Sequence, residues 1–420
     1  MKNNPTLSIG ILSAPKIKVR FNALYHNQKG DEITGEHEFD LQSEFDTFTS
    51  EQPDATFTLY DVVIGINFHW EQKENQTFSG GLRIAANPNN KNEIYAINIV
   101  DTEEYLMSVI SSEMCGSANM PLLKAHAVIS RSWVLAQLNT YKMASGKPCS
   151  HNETMEGLKW YDKEDHTIFN VCADDHCQRY QGLTRNVSED ARQAVRETKG
   201  EVLTNNGGLV DARFHKCCGG VLEQFSTCWD NTDYDYLLPV RDDKDGAIVD
   251  LSSEEAAEEF IQGSPSSFCN TKNQRVLQQV LNSYDQTTHD FYRWEVKYTT
   301  EELSKLVAKK SGKDIGTITE IKSLNRGPSA RIYRLLIKGT KGELIVGKEL
   351  EIRRLLSESH LYSSAFVVKH EGNTFTLRGA GWGHGVGLCQ IGAAIMGDQG
   401  YSYQEILHHY YPNTEITTIY

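Results

Sequence analysis

The chain has 420 residues and a net charge of −14, from 42 Lys and Arg against 56 Asp and Glu. That length supports roughly three domains and a core that needs neither disulfide nor metal to form, and the acidic balance gives no field to hold nucleic acid or an anionic membrane face. With 39% hydrophobic and 23% charged residues the composition is that of a folded globular protein, and apolar runs such as Ile9 to Leu12 fall far short of the ~20 residues that cross a bilayer.

Residues 1 to 100 carry short alternating runs, Ile17 to Phe21, Phe57 to Tyr60 and Ile94 to Ile99, separated by Gly, Asn, Asp and Pro, and read as a β-rich region. Between Asp101 and Tyr141 the period becomes helical. Leu106, Ile110 and Glu113 share one stripe; Leu122, Ala125, Ile129 and Trp133 share another. Gly116 to Asn119 separates the two helices, and Asn119 followed by Pro121 supplies a cap and first turn for the second. From 142 to 185 the chain is polar and rich in His and Cys, which predicts a long loop or a metal-organised insert. A helix over Ser188 to Thr198 and strands near Glu201 to Leu203 and Val210 to Phe214 follow. Residues 241 to 290 predict a surface insertion. Thr299 or Thr300 caps a helix over Glu301 to Lys310, and the alternation in Ile332 to Ile337 and Glu343 to Val346 predicts a second β-rich unit. Glycine then stands at every second position from Gly379 to Gly387, which side-chain packing does not explain but close backbone approach or positive φ does. A helix starts near Leu388 and ends at Gly400. Ser402 with Glu405 forms a capping box for a last helix through Tyr410, which Pro412 terminates.

Four groups of residues can carry chemistry. Glu113 lies on an inward stripe near a helix C-terminus, where partial burial and the negative end of the helix dipole both favour a protonated carboxyl, as a general acid at a glycosidic oxygen requires. The plainer reading pairs it with Lys124 or Arg131. Trp382, His384 and the flanking glycines can form an active-site loop that meets a sugar ring, or an ordinary glycine turn. His166, Cys172, His176 and Cys177, with Cys149 and His151 nearby, make a complete tetrahedral zinc set, although a disulfide such as Cys172 to Cys177, or one to Cys149, uses the same residues. Four protein ligands would leave such a zinc no catalytic water, which disfavours a zinc hydrolase. Cys217 and Cys218 follow His215 at a tight corner; the pair reads as buried thiols rather than a nucleophile, with Cys218 within reach of Cys228 for oxidation. Nine cysteines is an odd number, so at least one is free, metal-bound or reactive.

Taken together these blocks resemble the SpoIID/LytB family, the sporulation-type lytic transglycosylases and amidase enhancers of bacterial cell walls. The resemblance rests on Glu104-Tyr105-Leu106 through Ser112-Glu113-Met114 and on Leu123 to Val128 with Arg131-Ser132. It continues in His176 to Tyr180, in Phe214 to Gly220 with Tyr236-Leu237, and in Gly381 to Gly387 with Gln390, Gly392-Ala393, Tyr403 and His409 to Pro412. It implies cleavage of the β-1,4 bond between N-acetylmuramic acid and N-acetylglucosamine, with 1,6-anhydro ring closure and Glu113 as the single acid and base. No second carboxylate is required, in contrast to ordinary glycosidases. The same resemblance implies that Arg131, Gln178, Tyr180, Tyr236, Trp382, His384 and Gln390 line the saccharide groove. It further implies a structural zinc at His166, Cys172, His176 and Cys177, with no cofactor needed for the chemistry. Lys124 and Arg131 are basic residues that could receive the lactyl carboxylates. The family usually has glutamine at His126, serine or threonine at Cys217 and Cys218, and Ser-Gln-Tyr at Cys389-Gln390-Ile391.

The expected architecture is α+β: a central helical pair carrying Glu113 within β-rich segments, closed by the glycine loop and last helices. The catalytic core is expected over 101–240 and 291–420. Peptidoglycan glycan strands are the expected partner, with a cell-wall amidase as a second partner in the alternative, non-catalytic reading. The expected compartment is the bacterial cell envelope, extracytoplasmic or periplasmic, with a leader trimmed before this numbering.

Overall fold

The computed structural model describes residues 4–65, 72–114, 118–138, 140–148, 166–174, 177–184, 187–280 and 290–420. Cys115, Gly116, Cys149, His151 and His176 lie outside the described residues. The fold is mixed α+β. Eight strands open the chain: β1 (Thr6–Ala14), β2 (Lys16–His26), β3 (Glu32–Asp40), β4 (Thr47–Phe48), β5 (Thr56–Ile64), β6 (Gln72–Ser79), β7 (Gly81–Ala86) and β8 (Ile94–Asp101). β3, β2, β5 and β6 form one antiparallel sheet. In the other sheet β1 runs antiparallel to β8 from Thr6↔Asp101 onward, and on its far edge pairs parallel with the two-residue strand Val171–Cys172. That parallel pairing brings the distant His- and Cys-rich segment back beside the start of the chain.

β8 runs directly into α1 (Thr102–Glu113), because the Asp101 side chain accepts the Glu103 amide and caps the helix. α2 (Met120–Ala136) begins at Asn119, whose side chain accepts the Leu122 amide, with Pro121 in the first turn as predicted. Its inner face is wholly buried, Leu122, Leu123, Ala125, Val128 and Ile129 included. Truncating Leu122, Leu123 or Ile129 to alanine would cost on the order of 2–5 kcal/mol. The helix Glu189–Glu197 and the C-terminal helices Gln390–Asp398 and Tyr403–Tyr410 pack around α2, the last held by its Ser402–Glu405 capping box.

Buried apolar residues gather in two large clusters. One joins the N-terminal sheets, the helices around α2 and the C-terminal helices. The other belongs to residues 291–380, where the sheets Arg293–Thr299 / Thr374–Ala380 / Phe366–Glu371 and Ile318–Arg326 / Ile332–Gly339 / Gly342–Val346 enclose Leu303, Val307, Leu335, Ile352 and Phe375. The helix Thr300–Ser311 in this lobe starts at Thr299 with a complete capping box to Glu302.

Two expectations are corrected. The strand expected over Val210 to Phe214 is two short ones, Gly208–Leu209 and Phe214–His215, because the intervening backbone turns to place Asp211 against Arg213. The described part of the segment expected as a surface insertion, 241–280, is not confined to the surface: Asp242, Phe268, Cys269, Val276 and Leu277 are buried, and all but Asp242 belong to the main apolar cluster.

Candidate functional site

A cleft of 1240 Å³ runs between the main body and the lobe. Glu113, the last residue of α1, stands on its wall with Trp133 of α2, Gln178, Arg179, Arg213, His215, Trp229, Trp382, His384 and Gln390. The lobe supplies the facing wall, from Lys310 to Lys313 and from Leu344 to Arg354. The Arg179 amide donates to Glu113 Oε1 at 2.9 Å, so the carboxyl is held by the backbone of the loop that carries Gln178.

Two buried polar atoms on this wall have no protein partner among the described residues: Gln178 Nε2 and His215 Nε2. The Tyr105 hydroxyl donates to Gln178 Oε1 at 3.1 Å and fixes the amide plane. His215 Nδ1 lies 3.1 Å from the Val386 carbonyl, an arrangement that makes Nδ1 the donor and leaves Nε2 as an acceptor. Burial and the Arg331 guanidinium push the His215 pKa down to about 3. Its neighbour His384, with ring centroids 5.5 Å apart, is likewise held neutral by burial and by the His215 ring. Such orphan donors and acceptors are rare unless a ligand or water completes them.

The glycine loop shapes this wall through backbone approach. Gly385 has φ +82°, and a Cβ there would lie 2.4 Å from the Arg331 guanidinium. The fully buried Arg331 donates to Gly383 O at 3.1 Å, Cys218 O at 3.2 Å and Ser329 Oγ at 2.8 Å, tying lobe to loop. Trp382 stacks on Phe291 with centroids 4.9 Å apart, and Arg213 lies over the Trp229 ring at 4.3 Å while paired with Asp211.

Of the residues read as groove-lining, Gln178, Trp382, His384 and Gln390 border the cleft with Glu113. Gln390 does so from a buried position, where its amide lies 3.2 Å from His126 Nε2. Arg131, Tyr180 and Tyr236 do not reach it. Arg131 is fully buried in a two-pronged ion pair with Glu103, at 2.8 and 2.7 Å, and also holds the Glu201 carbonyl. Tyr180 donates to Asn98 at 2.7 Å and stacks on Tyr105. The Tyr236 hydroxyl accepts the Asp211 amide. All three are support residues behind the wall. Lys124 is likewise engaged, in an ion pair with Glu197. The cations that do border the cleft are Arg179, Arg213, Lys216, Lys310, Lys313, Arg353 and Arg354. The resemblance implied Arg131 as a groove residue, but a shared motif carries the residue type and does not say whether its side chain meets ligand or core.

His166, Cys172 and Cys177 bring their ligand atoms within 4.8 Å of one another, half-buried, with His166 Nε2 3.3 Å from Cys177 Sγ. One imidazole and two thiols suit zinc, so the residues present fit such an ion. His166 and Cys177 also border the cleft. Cys172 and Cys177 are not joined by a disulfide, and Cys217, Cys218, Cys228, Cys269 and Cys389 form none either among the described residues. The expected proximity of Cys218 to Cys228 is replaced: Cys218 Sγ faces Cys269 Sγ at 3.3 Å, and Cys228 Sγ points to the His384 carbonyl.

Among the described residues no helix is long and apolar enough to cross a membrane. Residues 90–205 match the stage II sporulation protein (SpoIID) family, and residues 223–387 match a domain of unknown function, DUF8618. The amidase enhancer of Bacillus subtilis is 25% identical over 74% of this chain, which spans only 40% of that protein. The stage II sporulation protein D of Bacillus amyloliquefaciens is 22% identical over 77% of this chain and 76% of its own length, and that of B. subtilis is 22% identical over the same shares. The family match covers β8 through the strand Glu201–Asn205, and hence the helix pair with Glu113; over that stretch the chain is similar to the SpoIID family, and over most of its length to these relatives.

Proposed function

We propose that the chain is a peptidoglycan lytic transglycosylase with Glu113 as its single acid and base. The observation that carries this reading is the company Glu113 keeps in one cleft: a carboxyl anchored by a backbone amide, unpartnered polar atoms on Gln178 and His215, and the indoles of Trp229 and Trp382. Sugar hydroxyls satisfy orphan polar atoms, and ring faces stack on indoles. The Glu113 carboxyl gives its proton to the glycosidic oxygen, and the N-acetylglucosamine end leaves. The resulting carboxylate takes the proton of the muramoyl 6-hydroxyl as that oxygen bonds to C1. The products are two shorter strands, one ending in 1,6-anhydro-N-acetylmuramic acid, with Glu113 again protonated and no water consumed. Glu349 and Glu351 also border the cleft but lie within 3.4 and 3.6 Å of Arg353 and Arg354, respectively. A zinc ion on His166, Cys172 and Cys177, with His176 as the expected fourth ligand, would be structural. It would brace the loop whose Arg179 amide holds Glu113. The extracytoplasmic envelope is the compartment this substrate requires.

The test is mass spectrometry of glycan strands, with and without stem peptides, after incubation with the native chain and with Glu113→Gln. Anhydro-ended fragments from the native chain alone support the proposal. A second reading draws on the similarity to an amidase enhancer: the cleft binds glycan and stimulates a cell-wall amidase without cutting. Intact strands that remain bound to both proteins would favour it.

A further inference from the structure

Behind the glycine loop, away from the residues that border the cleft, four buried side chains meet. The Cys218, Cys269 and Cys389 sulfurs and a carboxylate oxygen of Asp242 all lie within 4.8 Å of one another, and no one of these residues is more than 2% exposed. They come from four places in the chain. Cys218 follows the strand Phe214–His215, Asp242 and Cys269 belong to the 241–290 segment, and Cys389 is the N-cap of the helix Gln390–Asp398. Cys218 Sγ is 3.3 Å from Cys269 Sγ and 3.4 Å from Asp242 Oδ2. The sulfur separation is well beyond a disulfide bond of about 2.05 Å. It is close to the roughly 3.8 Å between sulfurs around a tetrahedral ion with metal–sulfur bonds of about 2.3 Å.

The groups around the cluster are those that orient metal ligands. The Gly220 amide donates to Cys218 Sγ at 3.3 Å; the amides of Cys218 and Gly392 donate to Cys389 Sγ at 3.3 and 3.5 Å. Ser267 Oγ lies 3.2 Å from Cys269 Sγ. Asp242 Oδ1 accepts the Tyr410 hydroxyl at 2.7 Å with His409 Nε2 at 3.5 Å, while Oδ2 accepts the Cys269 amide and Ser267 hydroxyl at 3.1 Å. Amide donors to sulfur and a hydrogen-bonded carboxylate form the outer shell that fixes thiolate and carboxylate ligands. A carboxylate with no exposed surface is costly to keep charged unless a cation compensates it.

We infer that Cys218, Asp242, Cys269 and Cys389 form a closed structural site for one thiophilic divalent metal ion, zinc foremost. Binding replaces three S–H protons, which leave to solvent, with three metal–sulfur bonds, and the carboxylate completes the tetrahedron. Four protein ligands and no exposure leave no open position, so the role is structural. The ion would staple residues 24, 51 and 171 positions apart, joining the corner behind the cleft, the 241–290 segment and the C-terminal helices. Metal binding then contributes to folding of the main body directly.

The experiment uses the full chain with Cys172→Ala, which disables the other thiol cluster, loaded with zinc and freed of excess ion. Elemental analysis should find one zinc per chain, and Cys172→Ala with Cys269→Ser should find none. The metal's X-ray absorption in the Cys172→Ala chain, which does not depend on the second variant folding, should show three sulfur neighbours at about 2.3 Å and one oxygen. A zinc-free Cys172→Ala chain, zinc retained by the double variant, a histidine-nitrogen shell, or a Cys218–Cys269 disulfide in a non-reducing digest would each overturn the inference.

Discussion

The two regions that face each other across the cleft are built on different terms. The main body reaches its wall through buried polar fixtures: Glu103 and Arg131 in a two-pronged pair, Tyr105 on Gln178, Arg179 on Glu113. The lobe, residues 291–380, closes its own apolar core and presents the helix Glu349–Leu355 and the cations around it at its surface. The comparison teaches that positioning and attraction are separable here. The wall that holds the Glu113 carboxyl uses desolvated, hydrogen-bonded groups, whereas the lobe wall carries solvated charge.

If that division holds, Glu113→Gln should lower turnover by about 10²–10⁴-fold while leaving glycan affinity nearly unchanged, measured as kcat against KM on isolated strands. Equal loss in both would break it. Arg131→Ala, which never touches the cleft, should destabilise the main body by roughly 3–5 kcal/mol, because Glu103 is left buried without its cation. Urea unfolding would show this as a lower midpoint for the main-body transition with the lobe transition in place.

His126 sharpens the comparison through pH. It is fully buried, and burial together with Lys216 pushes its pKa down to about 3. Unfolded, it would bind a proton near the ordinary histidine value of about 6.5, so the unfolded state gains protons that the folded state refuses. Stability is therefore full above that value and falls as pH drops, by roughly 2 kcal/mol at pH 5 from this residue alone. His126→Gln keeps amide hydrogen-bonding capacity toward Gln390 and Ser130 and should flatten that part of the slope in melts at pH 7 and pH 5. On the lobe, Arg354→Ala should raise KM by up to about five-fold, equivalent to about 1 kcal/mol, with kcat unchanged. The smallest expected effect is Thr299→Ala, which removes one capping box and should cost the lobe about 1 kcal/mol in a thermal melt without altering the pH slope.

The parts of this fold written in neighbouring residues were legible in the sequence. Asn119 with Pro121 and Ser402 with Glu405 each announce a helix start within four positions, Thr299 or Thr300 marks a third, and the Leu106, Ile110, Glu113 stripe carries the carboxyl to the end of α1 where the structure has it. Contacts between distant segments were not. Cys218 is expected near Cys228, ten positions on, whereas its neighbour is 51 positions away. Arg131 is expected in the groove from the motif it shares with the family, and a motif carries a residue type without distinguishing core from cleft. His215 went unassigned because only its approach to Val386, 171 positions on, shows which ring nitrogen remains available.

The parallel pairing of Phe214–His215 with Leu388–Cys389 bears on how the molecule is made. A chain synthesised from its N-terminus has α1, α2 and the 213–229 wall in hand well before the glycine loop emerges, and the lobe, with its separate core, can finish in between. The site is assembled last, by a closure over more than 170 residues, and contacts that remote in sequence form slowly. Cutting activity should therefore lag behind the regain of secondary structure when the unfolded chain is returned to native conditions, with the lobe already complete during the delay.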